Sequence, residues 1–161
     1  MEIIINGMLW FTAISVGIMA GVYFTFSAFM MNSLKAIEAP AGMLAMQSIN
    51  RIIVKSLFLP IFIASSLASA ALIVLMLIYP SSSGATWVMM GSGLYFIGMF
   101  IVTITGNVPL NNQLEATDAK GSGGAEMWAS YLRKWTVWNH IRTIACSAAL
   151  AMLILAISIR T

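Results

Sequence analysis

The sequence predicts an all-α integral membrane protein, a bundle of four spanning helices. Three observations carry that prediction. Hydrophobic residues form 60% of the 161-residue chain and charged residues only 8%, against about 45–50% and about 25% in a typical globular protein. The mean hydropathy is +0.93. Eight basic and five acidic side chains are too few to cover the surface that a soluble chain of this length must expose. This composition excludes disorder, a soluble coiled coil and a nucleic-acid-binding role.

The apolar residues fall into four runs, each long enough to cross about 30 Å of hydrocarbon as helix. The expected spans are 3–31, 57–79, 86–108 and 138–159, within one domain covering 1–161. None alternates polar with apolar as a strand would, and a membrane barrel needs at least about eight strands. The first run lacks a basic leader and a clear small-residue cleavage site, so it is expected to stay in the membrane rather than be cleaved as a signal peptide. Its Gly17 and Gly21 form a Gly-x-x-x-Gly spacing that allows close helix approach, within the chain or in a homo-oligomer. Pro40 suits the first turn of a helix over 41–50. Pro60 is expected to bend the second span, where Ser65 and Ser69 form a second small-residue pair. That span ends at Tyr79-Pro80, before a Ser- and Gly-rich turn.

Basic residues set the expected orientation. Lys35, Arg51 and Lys55 lie between spans one and two, and Lys120, Arg133 and Lys134 between three and four. Only Arg160 lies at the other end. By the positive-inside rule both longer loops are cytoplasmic and both termini outside, as in an integral protein of a bacterial plasma membrane.

Ligand chemistry is bounded by scarcity. The single cysteine, Cys146, cannot form an intrachain disulfide. The single histidine, His140, cannot supply both axial ligands of a haem. The 13 methionines include the pairs Met30-Met31 and Met89-Met90, but neighbours on a helix point about 100° apart. Methionine serves as packing in such surroundings. No resident metal or cofactor is expected from this donor set.

Polar residues gather at one end of the predicted bundle. Asn50 and Arg51 precede span two, Asn107, Asn111 and Asn112 follow span three, and Trp135, Trp138, Asn139, His140, Arg142 and Thr143 open span four. With Trp135 at zero and about 100° per residue, Arg142 lies near −20°, Cys146 near 20°, Asn139 near 40° and His140 near 140°. This broad polar face is expected to point into the bundle or a wet cavity, because a face turned to lipid would not carry it.

Two stretches resemble the anthrone oxygenase family of small four-span membrane proteins. They are Gly106-Asn-Val-Pro-Leu-Asn-Asn-Gln-Leu114 and Trp135-Thr-Val-Trp-Asn-His-Ile-Arg-Thr143. Tyr23, Phe26 and Ser27 in the first span and Ala45-Met-Gln-Ser-Ile-Asn50 extend the likeness. The resemblance implies an oxygenase that inserts oxygen into an anthrone or similar activated ring without metal or flavin. Asn107, Pro109 and Asn111 match the first motif, and Trp135, Asn139, His140 and Arg142 the second. Histidine is the side-chain type suited to proton transfer near neutral pH, so His140 is the expected base. Asn107, Asn139 and Arg142 are the expected oxyanion donors. Trp135 and Trp138 are expected to stack on the ring, with Asn111 and Asn50 beside it. The expected partners are a small hydrophobic aromatic molecule and membrane lipid. A second reading remains open: a non-enzymatic membrane protein that binds a small hydrophobic ligand, a quinone among them, or a subunit of a larger complex. In that reading the same cluster is a structural hydrogen-bond network.

Overall fold

The structure, a computed structural model, describes residues 2–160, and all regular structure among them is helical. Four helices are long and apolar enough to cross a membrane: α1 (Glu2–Lys35), α3 (Phe58–Ile78), α4 (Ala85–Glu115) and α5 (Gly124–Arg160). A shorter helix, α2 (Ala39–Ile53), connects the first two. α5 packs against α1 and α4, and α3 closes the bundle against the same two helices.

The elements begin and end for local reasons. Glu38 is extended (φ −46°, ψ 133°) and Pro40 occupies the first turn of α2, where a missing N–H costs no helical hydrogen bond. Pro60 corrects an expectation. α3 begins at Phe58, so this proline also sits in a first turn, and Ile61 N still reaches Leu57 O at 3.2 Å. It therefore removes no ladder bond inside the span. α3 stops at Ile78 before Tyr79-Pro80, and α4 starts after Gly84, whose φ of +70° is the left-handed turn that glycine tolerates.

The helices outrun the spans read from the sequence. α5 has 37 residues, about 55 Å at 1.5 Å per residue, well beyond the hydrocarbon thickness. The segments between spans one and two and between spans three and four are thus largely helical rather than loops. The ends of α1 and α4, the start of α5 and all of α2 build a second core. There Met31, Met43, Met46, Leu114, Trp128 and Tyr131 are buried together. The spanning bundle has its own core, centred on Leu9, Val16, Leu72, Val88, Met99 and Leu153.

Burial follows a stripe on α5. Trp128, Tyr131, Trp135, Asn139, Arg142, Cys146, Ala149, Leu153 and Ala156 are all buried, at spacings of three and four that keep one face against two neighbours. The opposite faces are apolar too. Ile14, Leu67, Ile97 and Ile144, one from each spanning helix, are 60–69% exposed, a pattern stable in lipid and costly in water. At the end that holds both termini, Arg160 ties three segments together. It donates to Glu2 at 2.7 Å, Asn6 Oδ1 at 2.8 Å and Ser83 O at 2.6 Å.

α4 and α5 approach each other closely. A Cβ on Gly98 would lie 2.5 Å from Ala145 Cβ, and one on Gly106 would lie 2.7 Å from the Trp138 ring. The Gly17/Gly21 spacing makes no such crossing. A Cβ on Gly17 would meet Leu150 at an ordinary 3.6 Å, and one on Gly21 would meet nothing within 4 Å. Close approach needs both glycines under the partner helix, and α1 presents only one of them to α5. Gly98→Val is therefore expected to destabilise the bundle by about 1–3 kcal/mol through overpacking, whereas Gly21→Ala leaves it unchanged. Thermal unfolding of the detergent-solubilised variants tests the pair.

Candidate functional site

A cavity of about 140 Å³ lies where the two cores meet. Its apolar wall includes Val22 and Phe26 from α1, Phe58, Leu59 and Phe62 from α3, and Met46 from α2. Polar side chains close the other side: Asn50 from α2, Thr103, Asn107 and Asn111 from α4, and Arg142 from α5. The rings of Tyr23 and Trp135 complete it.

Widened helical turns position several of these groups. α1 is π-helical over Phe26–Met30, and α4 over Phe96–Ile101 and Thr103–Asn107. The last of these precedes Pro109, which offers no N–H and crowds the carbonyl four residues back, so a looser turn accommodates it. A π-turn also rotates the residues beyond it about the helix axis. Phe26, Thr103 and Asn107 all belong to such segments and all face the cavity. Asn107 has helical angles (φ −80°, ψ −42°) and α4 continues past it, so it is not a helix C-cap.

Arg142 is the electrostatic centre. Its guanidinium donates to Asn139 Oδ1 at 2.8 Å and to Thr103 Oγ1 at 3.3 Å. It lies 4.2 Å from the Tyr23 ring centroid and 5.2 Å from that of Trp135, in cation–π geometry. It has no carboxylate. The ion pairs among the described residues are Arg51–Glu115 and Arg160–Glu2, and neither includes a residue of the cavity lining. A buried cation held only by neutral groups keeps much of its desolvation cost, and an anion in the cavity would offset it.

The neutral groups around it are themselves fixed. Asn139 Nδ2 donates to Tyr23 O at 2.8 Å and Ser27 Oγ at 2.7 Å, so its oxygen is turned to Arg142. Ser27 Oγ also lies 2.8 Å from Thr143 Oγ1 and 2.9 Å from His140 Nδ1. Asn111 Oδ1 accepts from both Tyr131 Oη and Trp135 Nε1, each at 2.8 Å. Asn107 Nδ2 donates to Trp135 O at 3.3 Å. Trp128, Tyr131 and Trp135 stack along α5, and Phe26 meets Trp135 edge-on at 5.4 Å. The Trp135 face of the cavity is rigid for these reasons.

The family profile of the anthrone oxygenases matches residues 46–152. The chain belongs to the anthrone oxygenase family. No curated protein and no solved structure matches it. The matched stretch runs from α2 into α5 and contains every polar side chain of the cavity wall named above; Val22, Tyr23 and Phe26 of α1 lie outside it.

In this family member, five of the residues singled out by sequence line the cavity: Asn50, Asn107, Asn111, Trp135 and Arg142. Asn139 is buried behind Arg142 and touches the cavity only through it. His140 and Trp138 stand elsewhere. His140 is exposed beside Ser27, and Trp138 covers Gly106 on the outer face. The buried stripe passes through 135, 139, 142 and 146, so positions 138 and 140 flank it. The polar face read at about 160° wide exceeds what two neighbouring helices cover. Sequence reasoning missed Tyr23, Thr103, Ser27 and Tyr131 as parts of the site. Tyr131 and Thr103 each stand four residues before a chosen site residue, Trp135 and Asn107, which was the signal available. Among the described residues no three His, Cys, Asp or Glu side chains gather as metal ligands.

This geometry ranks three substitutions. Asn139→Leu strips a buried guanidinium of its shortest bond and is expected to cost about 2–4 kcal/mol. Ser27→Ala, losing neutral bonds, costs about 1 kcal/mol. His140→Ala leaves stability unchanged. Thermal unfolding in a single detergent reads all three, and a His140 effect as large as that of Asn139 would contradict the ranking.

Proposed function

We propose that this protein is a membrane oxygenase that converts an activated ring methylene of an anthrone-like molecule into a carbonyl, with dioxygen as oxidant. Arg142 carries the reading: a buried guanidinium without a counter-ion, at the polar edge of an otherwise apolar cavity. Family membership supports the reaction class.

The chemistry asks little of the protein beyond charge stabilisation. Loss of one C–H proton turns the ring ketone into an aromatic enolate, with its negative charge on oxygen. Arg142 lowers the free energy of that oxyanion, as preorganised donors do in a water-poor site. The enolate gives one electron to dioxygen, the two radicals combine at the ring carbon, and the peroxide loses water. In sum, the methylene and one O₂ give a carbonyl and one H₂O. In this scheme the substrate supplies all four electrons, and the C–H proton, taken up by water, returns to the peroxide before it eliminates water.

The remaining residues position. Asn139 and Thr103 hold the guanidinium, Asn111 and Tyr131 hold Trp135, and the Trp135 ring forms a flat wall for the substrate. Val54 and Val108 line the cavity and are exposed, which suits a hydrophobic substrate delivered from the bilayer. Lys35, Lys55, Lys120, Arg133 and Lys134 are exposed at this end of the bundle, and the positive-inside rule places it in the cytoplasm.

The experiment follows oxidation of an anthrone to the anthraquinone by absorbance, with purified protein in air and under argon. Oxygen-dependent turnover is expected, falling about 10²–10³-fold in Arg142→Gln, the loss typical of one oxyanion donor. His140→Ala is expected to retain turnover. Absence of oxygen uptake with every anthrone tried would leave ligand binding as the function.

A further inference from the structure

Away from the cavity between the two cores, α1 and α5 leave a groove of about 260 Å³ on the surface of the bundle. Ala13 and Gly17 of α1 line it, with Leu150, Ile154 and Ile157 of α5. Toward the end that holds both termini lies a small hollow lined by Asn6, Leu9 and Arg160. Trp10 and Ile157 border both spaces, so the two form one path. Gly17 helps keep it open, because the helix presents no side chain to the groove at that position.

The path is apolar except at the hollow. There Asn6 Oδ1 accepts from Arg160 Nε at 2.8 Å, which fixes the amide and leaves Nδ2 as its outward donor. Asn6 Nδ2 has no acceptor among the described residues, and the residue is half-buried. It is not sealed in. The unpartnered polar atoms enclosed by the described chain are those of Ser69, Ser92, Asn107 and Arg142, and Asn6 Nδ2 is not one of them. An amide donor beside hydrocarbon needs an acceptor that lipid tails do not offer.

We infer that this path holds one acyl chain of a glycerophospholipid, whose ester carbonyl accepts a hydrogen bond from Asn6 Nδ2. Length favours this occupant. Asn6 and Gly17 belong to one continuous helix, and their separation is about 16 Å at 1.5 Å per residue. Half of the hydrocarbon core is about 15 Å. The path therefore runs from the ester level to the bilayer midplane, the reach of a single leaflet. A spanning helix from a second copy would continue past the midplane along Gly21, which lies outside the groove.

The headgroup is not read. Glu2 and Arg160 are the charged side chains at this end among the described residues, and they pair with each other at 2.7 Å. The exposed lysines stand at the opposite end. They attract anionic lipid whatever its linkage, so ester recognition at Asn6 is separable from surface electrostatics.

Native mass spectrometry of the full chain, stripped of co-purified lipid by detergent exchange, tests the inference. The probes are dioleoyl phosphatidylethanolamine and its dioleyl ether analogue, added separately. Neither carries net charge, which keeps the basic end out of the comparison. The first lipid bound is expected to favour the ester by about 3–10-fold, the worth of one neutral hydrogen bond. Asn6→Asp keeps an oxygen for Arg160 but has no N–H to give, and should erase that preference. Gly17→Leu fills the path and should lose the first adduct. Gly21→Leu should bind as the unmutated chain does. Thermal unfolding shows that each variant is folded.

Equal affinity for ester and ether in the unmutated chain overturns the proposal. An undiminished preference in folded Asn6→Asp overturns it as well, and so does an undiminished first adduct in folded Gly17→Leu. A lipid-free dimer that Gly17→Leu converts to monomer also overturns it, and assigns the groove to a second copy of the chain.

Discussion

The burial of Arg142 without a carboxylate is the constraint around which the rest of the site is arranged. A guanidinium inside an apolar bundle is tolerated only if its donors are used and its charge is spread over polarisable neighbours. Here Asn139 and Thr103 use the terminal nitrogens, and Tyr23 and Trp135 offer ring faces. Each of these is held in turn. Asn139 is locked by α1 through Tyr23 O and Ser27, and Trp135 is locked by α4 through Asn111. One charge thereby commits three helices to a single relative placement. The arrangement still leaves the guanidinium without an anion, and that residual imbalance gives the cavity its chemical character.

The backbone meets the same demand. Regular α-helices at this crossing would carry Thr103, Asn107 and Phe26 through a fixed 100° per residue. The π-segments of α1 and α4 break that progression where the site lies, as such segments frequently do at functional positions. Pro109 gives α4 a local reason to widen. Gly98 and Gly106 let α4 and α5 approach closely enough for Thr103 to reach Arg142 and for Asn107 to reach Trp135 O. The helix extensions and α2 then roof the cavity. Gln47 fastens that roof by donating to the carbonyls of Leu114 and Thr117.

The two cores divide the work by depth. The spanning core is apolar and faces lipid on its outside, so its outward isoleucines and leucines are in their proper solvent. The second core carries Trp128, Tyr131 and Met43 under a surface that bears most of the chain's basic residues. The site sits between them. Its wall is apolar at Val22, Phe26, Phe58 and Phe62 and polar at Asn50, Asn107, Asn111 and Arg142.

The sequence by itself determined the class and the number of spanning helices, because hydropathy over about 20 residues is a property of the chain and needs no partner. It determined the family as well, through the motifs at 106–114 and 135–143. It also brought Asn50, Asn107, Asn111, Trp135 and Arg142 to one end, since span order alone places them there. Tertiary structure decided which of those residues face inward. The arc buried on α5 is set by where α1 and α4 touch it, which separates Asn139 and Arg142 from His140 and Trp138 although all four share one motif. It also decided that Pro60 starts a helix instead of bending one, that Gly98 and Gly106 rather than Gly17 and Gly21 make the close crossing, and that the connecting segments fold into a second core. Each of these depends on contacts between residues far apart in the chain, and local periodicity carries no record of them.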